Sequence, residues 1–193
     1  LVANRGEIAI RVMRAASEMG IRTVAIYAEE DKFAMHRFKS DEAYRVGSGK
    51  KPIAAYLDIN DIIRIALENN VDAIHPGYGF LSENADFAEA CKANNLIFVG
   101  PDAEAMRLMG DKIRARQFAI DNDIPVVWGL VRSLEEIEAQ AAALPYPVLI
   151  KASAGGGGKG MHIVEDASQL HSSLEQASRE AERYFGNGQI FVE

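Results

Sequence analysis

From Lys151 to Gly160 the chain reads Lys-Ala-Ser-Ala-Gly-Gly-Gly-Gly-Lys-Gly, four consecutive glycines bracketed by two lysines. Glycine loses more conformational freedom on ordering than any other residue, so a run of it is costly. The use that justifies the cost is a loop whose bare backbone N–H groups close around an anion, with Lys151 and Lys159 supplying charge. Three Gly-rich motifs compete. A P-loop needs Gly-x-x-x-x-Gly-Lys-Ser/Thr opening a helix, but Ser153 stands at the first glycine and Gly160 at the final Ser/Thr. Gly155, Gly157 and Gly160 satisfy Gly-x-Gly-x-x-Gly, as glycine runs do by accident. That fingerprint precedes a helix, whereas Met161-His162-Ile163-Val164 reads as a strand. A strand–loop–strand flap over nucleotide phosphates remains, mechanically like the Gly-rich loop of protein kinases. The plain alternative is a surface loop.

Other residues could do chemistry, each with a duller rival. Lys151 follows the apolar run Val148–Ile150, and a lysine on a buried strand needs an anionic partner. Lys112 stands near a helix start, unfavourable for the helix dipole, although exposed lysines there are common. Tyr78 lies in a Gly-Tyr-Gly turn, where it reaches a ligand or packs over the sheet. Glu83 opens a helix, where acids are favoured in any case. His75 reads as a hydrogen-bonded structural histidine, and Arg14–Glu18 as an i,i+4 surface pair. Cys91, in Phe-Ala-Glu-Ala-Cys, reads as the buried, inert side of a helix.

Alternating strand and helix patterns must position these groups. A strand tail at Leu1–Ala3 leads into a helix with Ile8, Val12, Ala15, Ala16 and Met19 inward, stopped by Gly20. Thr23–Tyr27 is a strand, the charged stretch 29–41 is irregular, and 43–46 is a further short strand. A helix after Tyr56 carries Ile59, Ile62, Ile63, Ala66 and Leu67 inward. Ala73–His75 is a strand running into Pro76–Gly79, at the carboxyl end where open parallel sheets bind ligands. A helix from Ser82–Asn84 and a strand at 97–99 complete residues 1–100, a doubly wound α/β domain of βαβ units. Residues 101–125 are a helical linker interrupted by Gly110. Residues 126–193 form a small α+β lid with antiparallel strands, helices at 135–144 and 167–184, and a closing strand at 190–193.

The 193 residues, 48% hydrophobic and 25% charged, fit one or two globular domains. A net charge of −7 argues against a nucleic-acid binder. No apolar run is long enough to span a membrane. A single cysteine fits a reducing compartment; the expected location is the cytoplasm or, in a eukaryote, the mitochondrial matrix.

Ala3–Ala9, the block His75-Pro-Gly-Tyr-Gly-Phe-Leu-Ser-Glu-Asn84, Met109–Lys112 and Ile150–Ser153 resemble the biotin carboxylases, in the family's order along the whole chain. Segments 28–32 and 36–44 look most like the pyruvate carboxylase members, with acyl-CoA carboxylases next. The resemblance implies an ATP-grasp fold: a pre-ATP-grasp, Rossmann-like domain, then an ATP-grasp B-domain. It implies that ATP activates bicarbonate as carboxyphosphate, which carboxylates the ureido nitrogen of biotin on a carrier domain, with Mg2+ bridging the phosphates. By the same resemblance Lys112 and Lys151 contact ATP, Gly157 and Gly158 cover its phosphates, and Glu193 lies beside the adenine. Tyr78 and Glu83 border the carboxylation site, and the first helix lies at a homo-oligomer contact.

Two departures stand out: His162 replaces an arginine after Gly-Met, and Trp128 a proline before Gly129. The family's larger C-terminal ATP-grasp domain, with its metal-binding acids, bicarbonate-holding arginine and catalytic base, is expected to lie outside these residues. The isolated chain is then expected to be inactive. The carboxyl acceptor is not legible here. A non-catalytic fragment that binds nucleotide weakly, and an ATP-grasp ligase for another carboxylate, are the other classes; the His75–Asn84 block argues against the last.

Overall fold

The computed structural model describes residues 1–154 and 160–193; Gly157, Gly158 and Lys159 of the expected flap lie outside the described residues. The chain divides into two compact units, Leu1–Arg107 and Leu108–Glu193.

In the first unit the strands β1 (Val24–Tyr27) and β2 (Glu42–Arg45) pair in parallel, as do β3 (Ala73–Ile74) and β4 (Ile97–Phe98). Val2 bridges to Ala25 on one side and His75 on the other, both in parallel. Val2 N donates to Val24 O at 2.8 Å and Ala3 N to His75 O at 2.9 Å. The N-terminal segment therefore lies between the two strand pairs.

The helices are α1 (Gly6–Glu18), α2 (Pro52–Tyr56), α3 (Ile59–Glu68) and α4 (Ala85–Ala93). α1 turns a different edge inward from the one its periodicity predicts: Ala9 and Met13 are buried, whereas Ala15 and Met19 are exposed. Ala9 and Met13 cluster with Val2 and Ala25, so the helix seats where short and unbranched side chains can meet the strands. α3 buries Ile62, Ile63, Ile65 and Ala66, and α4 buries Phe87, Ala88 and Cys91. Each begins at a side-chain cap: Asp58 accepts from Asp61 N, and Asn84 from Phe87 N at 2.8 Å. The stretch read as irregular contains two 3-10 turns, Glu29–Asp31 and Met35–Lys39.

Between residues 103 and 121 there are two helices, α5 (Ala103–Gly110) and α6 (Lys112–Asp121). Asp111 makes the break, its carboxylate accepting from Ile113 N at 2.9 Å and Arg114 N at 3.0 Å. In the second unit α7 (Leu134–Glu138) is shorter than the expected 135–144 helix. A Ser133/Glu136 capping box starts it, and Ala141–Ala143 tighten into a 3-10 turn. The sheet β6 (His162–Val164), β5 (Val148–Ala152), β7 (Ile190–Val192) is antiparallel throughout. α8 (Ala167–Phe185) buries the expected Leu170, Leu174, Ala177 and Ala181, and ends at Gly186 with φ +67°. Among the described residues no helix is long and apolar enough to cross a membrane.

Candidate functional site

Strand alternation decides where Lys151 points. Val148, Ile150 and Ala152 of β5 belong to the core with Leu170 and Leu174 of α8. Successive side chains point to opposite faces, so Lys151 emerges on the other face of the sheet. Its register partner on β7 is Phe191, which is buried but lies outside the α8 core. Backbone bonds between Leu149 and Glu193, at 2.7 and 2.9 Å, continue that pairing. The Glu193 carboxylate thereby meets the Lys151 ammonium in an ion pair, both side chains about three-quarters buried. The anionic partner that a lysine at this position requires is therefore Glu193.

Lys112 is the first residue of α6, and its N–H donates to Ser153 O at 3.3 Å. That bond ties the start of α6 to the chain just before the glycine run. Lys112, Lys151 and Glu193 line one cavity of about 310 Å³, together with Met109, Ala115, Arg116, Val126, Val127 and Phe191. Two lysines, an arginine and one carboxylate thus share a cavity with apolar walls. Such a lining suits a ligand with a flat apolar ring and an anionic tail. Sequence reasoning missed Arg116, although it stands four residues after Lys112, on the same helical face. His162 turns toward α8, its Nε2 3.0 Å from Glu180 Oε2, and Trp128 is half exposed.

A second constellation belongs to the first unit. Asn4 Nδ2 donates to Pro76 O at 2.7 Å and Tyr78 O at 3.0 Å, pinning the turn after β3. Gly77 has φ +68°, and a Cβ there would come within 2.6 Å of Ile8 and 2.7 Å of Asn4. The exposed Tyr78 phenol donates to Glu7 Oε1 at 2.5 Å; that bond holds its pKa above the ordinary value. Glu83 is exposed, in the turn before α4. His75 Nδ1 accepts from Gly77 N at 2.9 Å, the structural part read from sequence, and burial holds its pKa below the ordinary histidine value. Beneath the turn, Phe80 stacks on the buried Tyr56 with ring centroids 5.3 Å apart. The Tyr56 hydroxyl donates to Asp31 at 2.7 Å, and Arg5 grips the same carboxylate through Nε at 2.6 Å and Nη2 at 2.5 Å.

Residues 1–106 match the family described as biotin carboxylase, N-terminal domain. Residues 111–193 match carbamoyl-phosphate synthase L chain, ATP binding domain. The whole chain aligns at 54% identity with pyruvate carboxylase of Bacillus subtilis and with mitochondrial pyruvate carboxylase of Homo sapiens, covering 17% of each. The chain therefore spans under a fifth of the length of these curated relatives. Among solved structures it is similar to Rhizobium etli pyruvate carboxylase (TM-score 0.87, 50% identity, all of this chain and 17% of that one). It is also similar to the biotin carboxylase domain of Hydrogenobacter thermophilus 2-oxoglutarate carboxylase (0.91, 45%, all of this chain and 43% of that one), solved with MgADP, ADP and bicarbonate. A third similar structure is a biotin carboxylase–β-γ-ATP complex from Campylobacter jejuni (0.91, 40%, all of this chain and 44% of that one).

Proposed function

The chain belongs to the biotin carboxylase N-terminal domain family, and from that premise we propose that it is the front part of a biotin carboxylase within a pyruvate carboxylase. The reaction is ATP-dependent carboxylation of biotin on a carrier domain. Bicarbonate oxygen attacks the γ-phosphorus and ADP leaves; the carboxyphosphate so formed delivers its carboxyl group to the ureido nitrogen of biotin as its C–O bond to phosphate breaks, and the released phosphate takes up the ureido proton. Phosphoryl transfer of this kind depends on positioning and on neutralising charge rather than on covalent help. Lys112 and Lys151 supply that charge, and Val126, Val127 and Phe191 offer the base an apolar wall beside Glu193. Gly157 and Gly158 cover the phosphates. Mg2+ would add further neutralisation; we assign its ligands to residues outside this chain.

In this reading residues 1–100 form a doubly wound, Rossmann-like domain, 101–125 a linker and 126–193 the ATP-grasp B-domain. The parallel pairings around Val2 support the first of these. Tyr78 and Glu83 border the place where biotin is carboxylated, at the carboxyl end of β3, and the full enzyme is a homo-oligomer of the cytoplasm or mitochondrial matrix. Nucleotides and bicarbonate in the similar structures support the substrate class. In this reading the isolated chain should show no biotin-dependent ATP cleavage.

The observation that carries the reading is the convergence of Lys112, Lys151 and Glu193 on one cavity. Calorimetric titration of ATP into the chain and into Lys151→Ala tests it. A hydrogen bond to a charged group contributes about 1.5–3 kcal/mol, so the variant should bind ATP at least about tenfold more weakly. Equal affinity would remove Lys151 from the site and the reading with it.

A further inference from the structure

We propose that Arg116 is a third phosphate-binding cation of this cavity, one helical turn beyond Lys112; the inference rests on the reading that the cavity takes a nucleotide. Arg116 and Lys112 are i,i+4 on α6, and both line the 310 Å³ cavity with Lys151 and Glu193. Arg116 is half-buried, yet among the described residues it makes no hydrogen bond or ion pair. Glu193, the carboxylate that lines the cavity with it, is paired with Lys151. A half-buried guanidinium with no anion of its own is placed to accept one from outside the chain.

The backbone makes room for it. A Cβ at Gly129 would lie 3.2 Å from Arg116 Cζ and 3.1 Å from Val192 O, so a side chain there would press on the guanidinium, which also borders a neighbouring hollow of about 270 Å³ with Gly129 and Arg132. Arginine suits the task because its planar fork donates two parallel N–H bonds to phosphate oxygens, where lysine offers a point charge. With Glu193 offsetting Lys151, Arg116 adds positive charge where an incoming polyphosphate needs it.

The test is calorimetry of the chain with ATP, AMP and adenosine, using Arg116→Gln and Arg116→Lys, with circular dichroism to confirm folding. Arg116→Gln should weaken ATP about tenfold or more, leave adenosine binding unchanged and flatten the salt dependence of ATP affinity. Arg116→Lys should fall between it and wild type, and decides the matter if Arg116→Gln does not fold. Wild-type ATP affinity in these variants, or equal losses for ATP and adenosine, would overturn the role. If wild type binds no ATP, or Lys151→Ala binds it as well as wild type, the nucleotide reading itself fails. ATP binding sensitive to Lys151→Ala but not to Arg116→Gln sinks the Arg116 role alone.

Discussion

Asp31→Ala should destabilise the first unit by about 2–4 kcal/mol. The Asp31 side chain is 9% exposed and Arg5 49%. The carboxylate accepts two bonds from Arg5 and one from the Tyr56 hydroxyl. Its removal leaves that hydroxyl, on a fully buried ring, without its acceptor, which costs about 1–3 kcal/mol. Arg5 recovers hydration, so its lost pair adds about 1 kcal/mol, near the limit for exposed pairs. Asp31→Asn keeps an acceptor for Tyr56 and should lose less. The assay is urea unfolding followed by far-UV circular dichroism. Fluorescence of the sole tryptophan, Trp128, in the second unit, serves as an internal reference. The pH dependence is fixed in sign. Arg5, then Tyr56, hold the Asp31 carboxyl below its ordinary pKa against the opposing effect of burial. Its contribution is fully present above the unfolded value, about 3.9, and is lost as pH falls through the folded one. The gap between wild type and Asp31→Ala should thus be flat from pH 7 to 5 and shrink in stronger acid. A variant within about 0.5 kcal/mol of wild type at pH 7, or a gap that widens in acid, would refute the reasoning.

Gly77→Ala should destabilise far more than Gly79→Ala. Both glycines have positive φ, but only at Gly77 does a Cβ collide with Asn4 and Ile8. The open site should cost about 1–2 kcal/mol, and equal losses in thermal melts would contradict the collision. Glu7→Gln should lower the Tyr78 phenol pKa toward the ordinary tyrosine value, read by NMR titration; an unmoved titration would show that the hydrogen bond is not what raises it. Burial pushes the Cys91 thiol up to about 11. A thiol reagent at pH 8 should therefore label it only on unfolding, and prompt labelling of the folded chain would place it at the surface.

Much of this architecture could be read from residue pattern, for reasons visible in single residues. Asn84 before Phe87, Ala88 and Cys91 marks α4, and the 170, 174, 177, 181 spacing marks the buried stripe of α8. α2 escaped because it is five residues long and starts at a proline after Gly-Ser-Gly-Lys-Lys, a context that reads as loop. Asp31 and His36 are buried inside a stretch that reads as charged and irregular. Their partners, Arg5, Tyr56 and Ile26 O, come from other parts of the chain, and local pattern carries no trace of such pairings. In the candidate site, Lys112 and Lys151 were visible through their awkward placement. Arg116 and Glu7 carry no local mark beyond that of ordinary helix charges; only tertiary geometry distinguishes them.

The central claim is that a nucleotide occupies the second unit between α6 and the β5–β7 face. Amide NMR of the isotopically labelled chain, titrated with ATP, tests it most directly. Saturable shifts are expected at residues 109–116, 126–127, 151 and 191–193, suppressed in Lys151→Ala. Shifts that bypass those residues, or persist undiminished in the variant, would contradict it.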